Sequence, residues 1–137
     1  MTGACFVDTD VVVYADDVDA GRKCETARAL LRKLFSEGSA ILSVQVLLEY
    51  FSAATRRLGL TSEAARGRVE ALSRLDVVAL GADDVLAAID IHRLHALSIW
   101  DALIVRAALI SGCRILYSED LQHGRRFEAL EVINPFA

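Results

Sequence analysis

The chain has 137 residues, 54% of them hydrophobic, one proline and a formal net charge of −4. That is enough for one domain with a buried core, and no apolar run approaches the roughly 18 residues of a membrane span. The acidic balance excludes a protein that holds nucleic acid by net charge alone, because phosphate affinity rests on Lys and Arg.

The first predicted strand is ACFVD, whose apolar run closes on Asp8. A helix follows over ETARALLRKLFSEG, where Ala27, Leu30, Leu31, Leu34 and Phe35 recur on one stripe and Gly38 ends it. GSAILSV, residues 38–44, is the second strand, and Ser43 is placed to cap a helix over VQVLLEYFSAATRRLG that stops at Gly59. TSEAARGRVEALSRL opens on Thr61 or Ser62 as its cap and leads to a third strand in RLDVVAL, residues 74–80. ADDVLAAIDIHRLHAL and SIWDALIVRAALISG, the latter running from Ser98 to Gly112, are two more helices. CRILYS (113–118) and LEVINPF (130–136) complete the strands. Strands that are continuously apolar rather than alternating belong to a parallel sheet covered on both faces. The predicted order is β-α-β-α-α-β-α-α-β-α-β. It describes an α/β protein, a three-layer α/β/α sandwich with a mostly parallel sheet of about five strands, in one domain over 1–137.

The opening MTGACFVDTD has no basic region followed by a long apolar stretch, so it does not read as a signal peptide and a cytoplasmic location is expected. Cys5, Cys24 and Cys113 are odd in number, far apart and form no Cys-x-x-Cys, which argues for plain buried thiols over a structural zinc site. His92 and His95 lie three apart on a predicted helix and read as its solvated end.

Four acids stand where acids are costly. Asp8 closes ACFV, Glu49 lies inside VLLEYF, Asp101 inside SIWDALIV, and Asp120 just after ILYS. An ionised carboxylate in apolar surroundings needs a partner or a shifted pKa. In open α/β sheets ligands gather beyond the carboxyl ends of the strands, and all four acids can reach that rim. Brought together, two such charges about 4 Å apart repel by roughly 4 kcal/mol at an effective dielectric near 20. A divalent cation removes that cost, so the pattern reads as a metal site made of carboxylates. Local explanations stand beside it. Asp8 can cap the segment VVVYADD, Asp101 follows Ser98 at capping-box spacing, and Asp120 can cap the turn LQHGRRF. Glu49 is too deep in its helix for a cap. Thr9 and Ser118 adjoin the acids and can hydrogen-bond them into fixed rotamers.

These segments resemble the PIN-domain ribonucleases, in particular the VapC toxins of toxin–antitoxin pairs. FVDTDVVVYA is similar to the family's first motif and SVQVLLEYFSAATRR to its second. LSIWDALIVRAALISGCRILYSEDLQHG resembles the third and fourth run together. Family members often carry Asn where this chain has Asp10, which adds a carboxylate near the site. The resemblance implies a catalytic set of Asp8, Glu49, Asp101 and Asp120, with Glu119 beside the last. It implies Mg2+ or Mn2+ held directly by Asp8 and Asp101, with Glu49 and Asp120 completing the shell. The implied activity is endoribonuclease cleavage of RNA phosphodiesters. The implied partners are a VapB-type antitoxin and a second copy of the chain in a homodimer. Arg56, Arg57, Arg125 and Arg126 are the candidates for holding the RNA backbone. Two other readings compete. Asp8-Thr9-Asp10-Val11-Val12 also resembles the signature of haloacid-dehalogenase-type phosphatases, although the lysines, Lys23 and Lys33, both lie early in the chain. The chain can also be read as a weakly catalytic regulatory binding module.

Overall fold

The computed structural model describes residues 3–137; Met1 and Thr2, at the head of the segment read as lacking a signal peptide, lie outside it. In chain order the elements are β1 (Cys5–Val7), α1 (Thr9–Ala15), α2 (Arg22–Glu37), β2 (Ala40–Ser43), α3 (Val44–Arg56) and α4 (Ser62–Leu72). There follow β3 (Asp76–Val78), α5 (Ala82–His95), α6 (Ile99–Ile110), β4 (Ile115–Tyr117), β5 (Arg126–Phe127) and β6 (Leu130–Ile133). The strands form one sheet in the order β3-β2-β1-β4-β6-β5, parallel except for the β5–β6 pair. Phe6, Val7, Leu42, Leu116 and Val132 are buried in its central strands, as expected for strands covered on both faces. All three cysteines are buried free thiols.

Local chemistry starts the helices where the sequence placed them. Ser43 Oγ accepts from Val46 N, Thr61 Oγ1 from Ala64 N, and Ser98 Oγ from Asp101 N. Gly38 ends α2 in the left-handed conformation (φ 65°), which costs a residue without Cβ nothing.

The structure departs from the expected order in two places. Asp8 is followed at once by a true helix, α1, so the first crossover carries two helices. No helix forms between β4 and the last strand. There Gly124 (φ 84°) turns the chain, and Gly124 N and Val132 N bond across to Val132 O and Arg125 O. Backbone groups spent on β6 cannot serve an i→i−4 ladder, so the segment becomes a short hairpin arm, β5, and the sheet has six strands.

Candidate metal centre

Successive strands leave β1 in opposite directions: β2 and β3 on one side, β4 and β6 on the other. The carboxyl ends of β1 and β4 therefore border the crevice where doubly wound sheets bind ligands. Asp8 is the first residue past β1 and Ser118 the first past β4, joined through Asp8 N donating to Tyr117 O at 2.9 Å. Asp8 is only 4% exposed. Its Oδ1 accepts from Thr9 N at 2.7 Å and its Oδ2 from Ser118 Oγ at 2.8 Å. It is thus the N-cap of α1 as well as a wall of the crevice.

Two residues on, Asp10 Oδ2 accepts from the backbone N–H groups of Glu119 (3.0 Å) and Asp120 (3.1 Å). Its Oδ1 is buried and has no partner. Asp8, Asp10 and Asp120 each offer an oxygen, all within 4.8 Å of one another. The electrostatic cost falls on Asp8 and Asp10. Burial, then the charge of Asp10, pushes the Asp8 carboxyl well above the usual range, against the hydrogen bonds from Ser118 and Thr9 N. Burial and the charge of Asp120 raise Asp10 to about 6, against the N–H bonds it accepts. A cation among these oxygens would remove the repulsion, so the donor set suits a hard divalent ion.

Glu119 and Asp120 divide their roles. Glu119 turns to α1 and α2, accepting from Tyr14 Oη at 2.8 Å and pairing with Lys23 Nζ at 2.5 Å. Lys23 also lies over the rings of Tyr14 and Phe136, at 5.0 and 5.8 Å from their centroids. Asp120 is left as the acid of this pair that faces Asp8 and Asp10.

Glu49 and Asp101 come from the far wall. Glu49 Oε1 accepts from Thr9 Oγ1 at 2.7 Å and Oε2 from Gln45 Nε2 at 3.2 Å. Asp101, in the first turn of α6, is raised above the usual carboxylate range by burial, then by Asp120 and, opposed by the Ser98 hydrogen bond, by Glu49. Both acids share the crevice's field, yet neither joins the three oxygens that converge within 4.8 Å. The tight group holds Asp10 where the sequence reading had put Asp101. The Asp8-x-Asp10 spacing was the available signal. It gave no hint that the chain more than a hundred residues later aims two N–H groups at Asp10.

The four arginines do not gather at the acids. Arg56 is in the last turn of α3 and Arg57 caps its end, about 20 Å of helix away from Ser43. Arg125 donates to His95 O at 2.9 Å and lies 5.0 Å over Phe127. Arg126 pairs with Glu131, which sits beside Ile115 at the start of β4 and away from the carboxyl rim.

A mostly parallel, doubly wound domain with carboxylates gathered at its switch point defines the class of protein. Residues 5–128 match the PIN domain family, and the chain belongs to that family. Among solved structures it is similar to Mycobacterium tuberculosis VapC20, described as a Sarcin-Ricin loop cleaving toxin, at 22% identity and TM-score 0.68, covering 84% of this chain and 88% of that one. A toxin–antitoxin complex from Klebsiella pneumoniae matches at 19% identity and TM-score 0.70, with 97% and 98% covered. FitAB bound to the IR36 DNA fragment matches at 19% and 0.72, with 97% and 96% covered. At these identities the likeness is one of fold. Comparison with curated proteins returns no match.

Proposed function

We propose that the chain is a Mg2+- or Mn2+-dependent endoribonuclease acting as the toxin of a toxin–antitoxin pair. The observation that carries this reading is the Asp8–Asp10–Asp120 group, with Asp10 Oδ1 buried and unpaired, in a member of the PIN domain family. Asp8, Asp10 and Asp120 would hold the ion, with Asp101 and Glu49 facing it across the crevice. A divalent ion there supplies an acidified water and neutralises charge developing on the phosphate. The protein's own part is to hold those oxygens in place. Ser118 and Thr9 N fix both oxygens of Asp8, the 119–120 backbone fixes Asp10, and Thr9 Oγ1 with Gln45 fixes Glu49. Asp101, across the crevice in the first turn of α6, is the candidate to take the proton of the attacking water in this scheme.

The partners follow from the structural relatives, which include a toxin–antitoxin complex, VapBC from Salmonella typhimurium bound to DNA, and a toxin that cleaves an RNA loop. A VapB-type antitoxin, an RNA substrate and a cytoplasmic homodimer complete the reading. Among the described residues no helix is long and apolar enough to cross a membrane. The phosphatase reading finds less support. Among the described residues no lysine hydrogen-bonds Asp8, and Lys23 is committed to Glu119.

The test is incubation of total cellular RNA with purified protein in Mg2+, Mn2+ or EDTA, beside Asp8→Asn and with p-nitrophenyl phosphate in parallel. Discrete RNA fragments that need metal and vanish in the variant are expected, with no phosphate ester turnover. Intact RNA in every lane, or growth inhibition that survives Asp8→Ala in cells, points instead to the binding-module reading.

A further inference from the structure

Part of the crevice wall beyond the acids is apolar. Beside Glu49, between α3, α5 and α6, lies a pocket of about 340 Å³ walled by Leu48, Leu80, Val85, Trp100 and Leu103. We propose that it is a nucleobase subsite, in which the base next to the scissile phosphate of a single-stranded RNA stacks on Trp100. The proposal rests on the ribonuclease reading of the adjoining acids.

Four observations carry it. Trp100 is 62% exposed, an unusual state for an indole, and it directly precedes Asp101 in the first turn of α6. The pocket shares Glu49 with the carboxylate crevice, so a strand whose phosphate lies at the acids has its neighbouring base at the pocket mouth. Gln45 ties the two together, its Nε2 donating to Trp100 O at 3.1 Å and to Glu49 Oε2 at 3.2 Å. Its Oε1 is buried without a partner. An apolar side chain from a protein partner would leave that oxygen unpaired, whereas a base edge brings amino or imino donors that a small rotation of the amide can meet.

The charge distribution points the same way. A crevice of carboxylates repels phosphate, and the arginines named above lie elsewhere or are already paired. A neutral contact then adds affinity that the acids do not oppose, and stacking on an aromatic ring supplies it for any unpaired base. Bases inside a duplex are already stacked and cannot enter.

Trp100 is the chain's only tryptophan, so its fluorescence reports this pocket without background. The experiment titrates full-length Asp8→Asn protein in Mg2+ with a short single-stranded RNA, the same strand annealed to its complement, and a copy with abasic positions. Saturable quenching by the single strand alone is expected. In the otherwise unchanged protein, Trp100→Ala should raise KM for single-stranded RNA roughly 10- to 100-fold with little change in kcat. Trp100→Phe, which keeps a ring, should recover most of the loss. Unchanged fluorescence while the unsubstituted protein cleaves RNA overturns the subsite and leaves the nuclease reading standing. Absence of metal-dependent cleavage in the unsubstituted protein overturns the nuclease reading first. If Trp100→Ala instead splits an oligomer in sedimentation and RNA causes no quenching, the face belongs to a second copy and the subsite is wrong.

Discussion

Asp10 holds a carboxyl at about 6, against an ordinary value near 3.9, because burial and Asp120 both oppose its charge. Without a cation the folded chain therefore binds this proton more tightly than the unfolded chain does. The stability it contributes is full below roughly pH 4 and is lost as pH rises to about 6, a change on the order of 2–3 kcal/mol. A bound cation reverses the sign by favouring the ionised form. Thermal melts in EDTA should thus show Asp10→Asn more stable than the unsubstituted protein at pH 8, with the gap closing toward pH 4.5. Mg2+ should raise the melting temperature of the unsubstituted protein at pH 8 and hardly at all in the variant. An Asp10→Asn protein less stable than its parent in EDTA at pH 8 contradicts this assignment. Asp8 was legible in the sequence because it closes an apolar strand, and Asp120 because it lies a few residues past the end of another, which places both toward the same rim. The share of Asp10 in the tight group was not, since it depends on contacts made by residues 119 and 120.

Among the elements, α6 and the loop after β4 carry the acids that lie farthest along the chain from Asp8 and Asp10. Ser98 caps α6 through Asp101 N, so Ser98→Ala should cost about 1 kcal/mol in urea denaturation. The same change loosens the turn that bears both Trp100 and Asp101. The loop is held differently, by Lys23 and Tyr14 pulling Glu119 toward α1 and α2. That pair is partly exposed, and exposed pairs stabilise a fold by less than about 1 kcal/mol. Glu119→Ala should therefore leave the melting temperature nearly unchanged while weakening divalent-ion binding several-fold, because the N–H groups aimed at Asp10 lose their anchor. Equal metal affinity in Glu119→Ala and its parent would show that the loop holds itself. Helix starts were readable in Ser43, Thr61 and Ser98, where a hydroxyl precedes an apolar period. The absent helix after β4 was not, because residues 124–132 are decided by cross-strand partners and not by local propensity.

At the scale of the molecule, the crevice depends on β1 standing between β2 and β4. Phe6, fully buried in β1, anchors that arrangement, and Phe6→Ala should cost about 3–5 kcal/mol by urea denaturation. Helix α5 is the odd element. It is apolar on most sides, yet Ala88 is its only buried residue, and Leu86 and Leu94 are 62% and 79% exposed. A helix of that composition calls for a cover, in keeping with the proposed homodimer. Sedimentation should find a dimer that Leu86→Glu with Leu94→Glu converts to monomer, and a monomeric parent at micromolar concentration would remove that part of the reading. The claim on which the rest depends is that Asp8, Asp10 and Asp120 hold a divalent ion, and calorimetric titration of metal-free protein with Mn2+ near pH 7.5 tests it most directly. Saturable binding by the unsubstituted protein, weakened at least tenfold in folded Asp10→Asn and Asp120→Asn, is the predicted result. Variants that bind Mn2+ as tightly as the parent, or a folded parent that binds none, would contradict it.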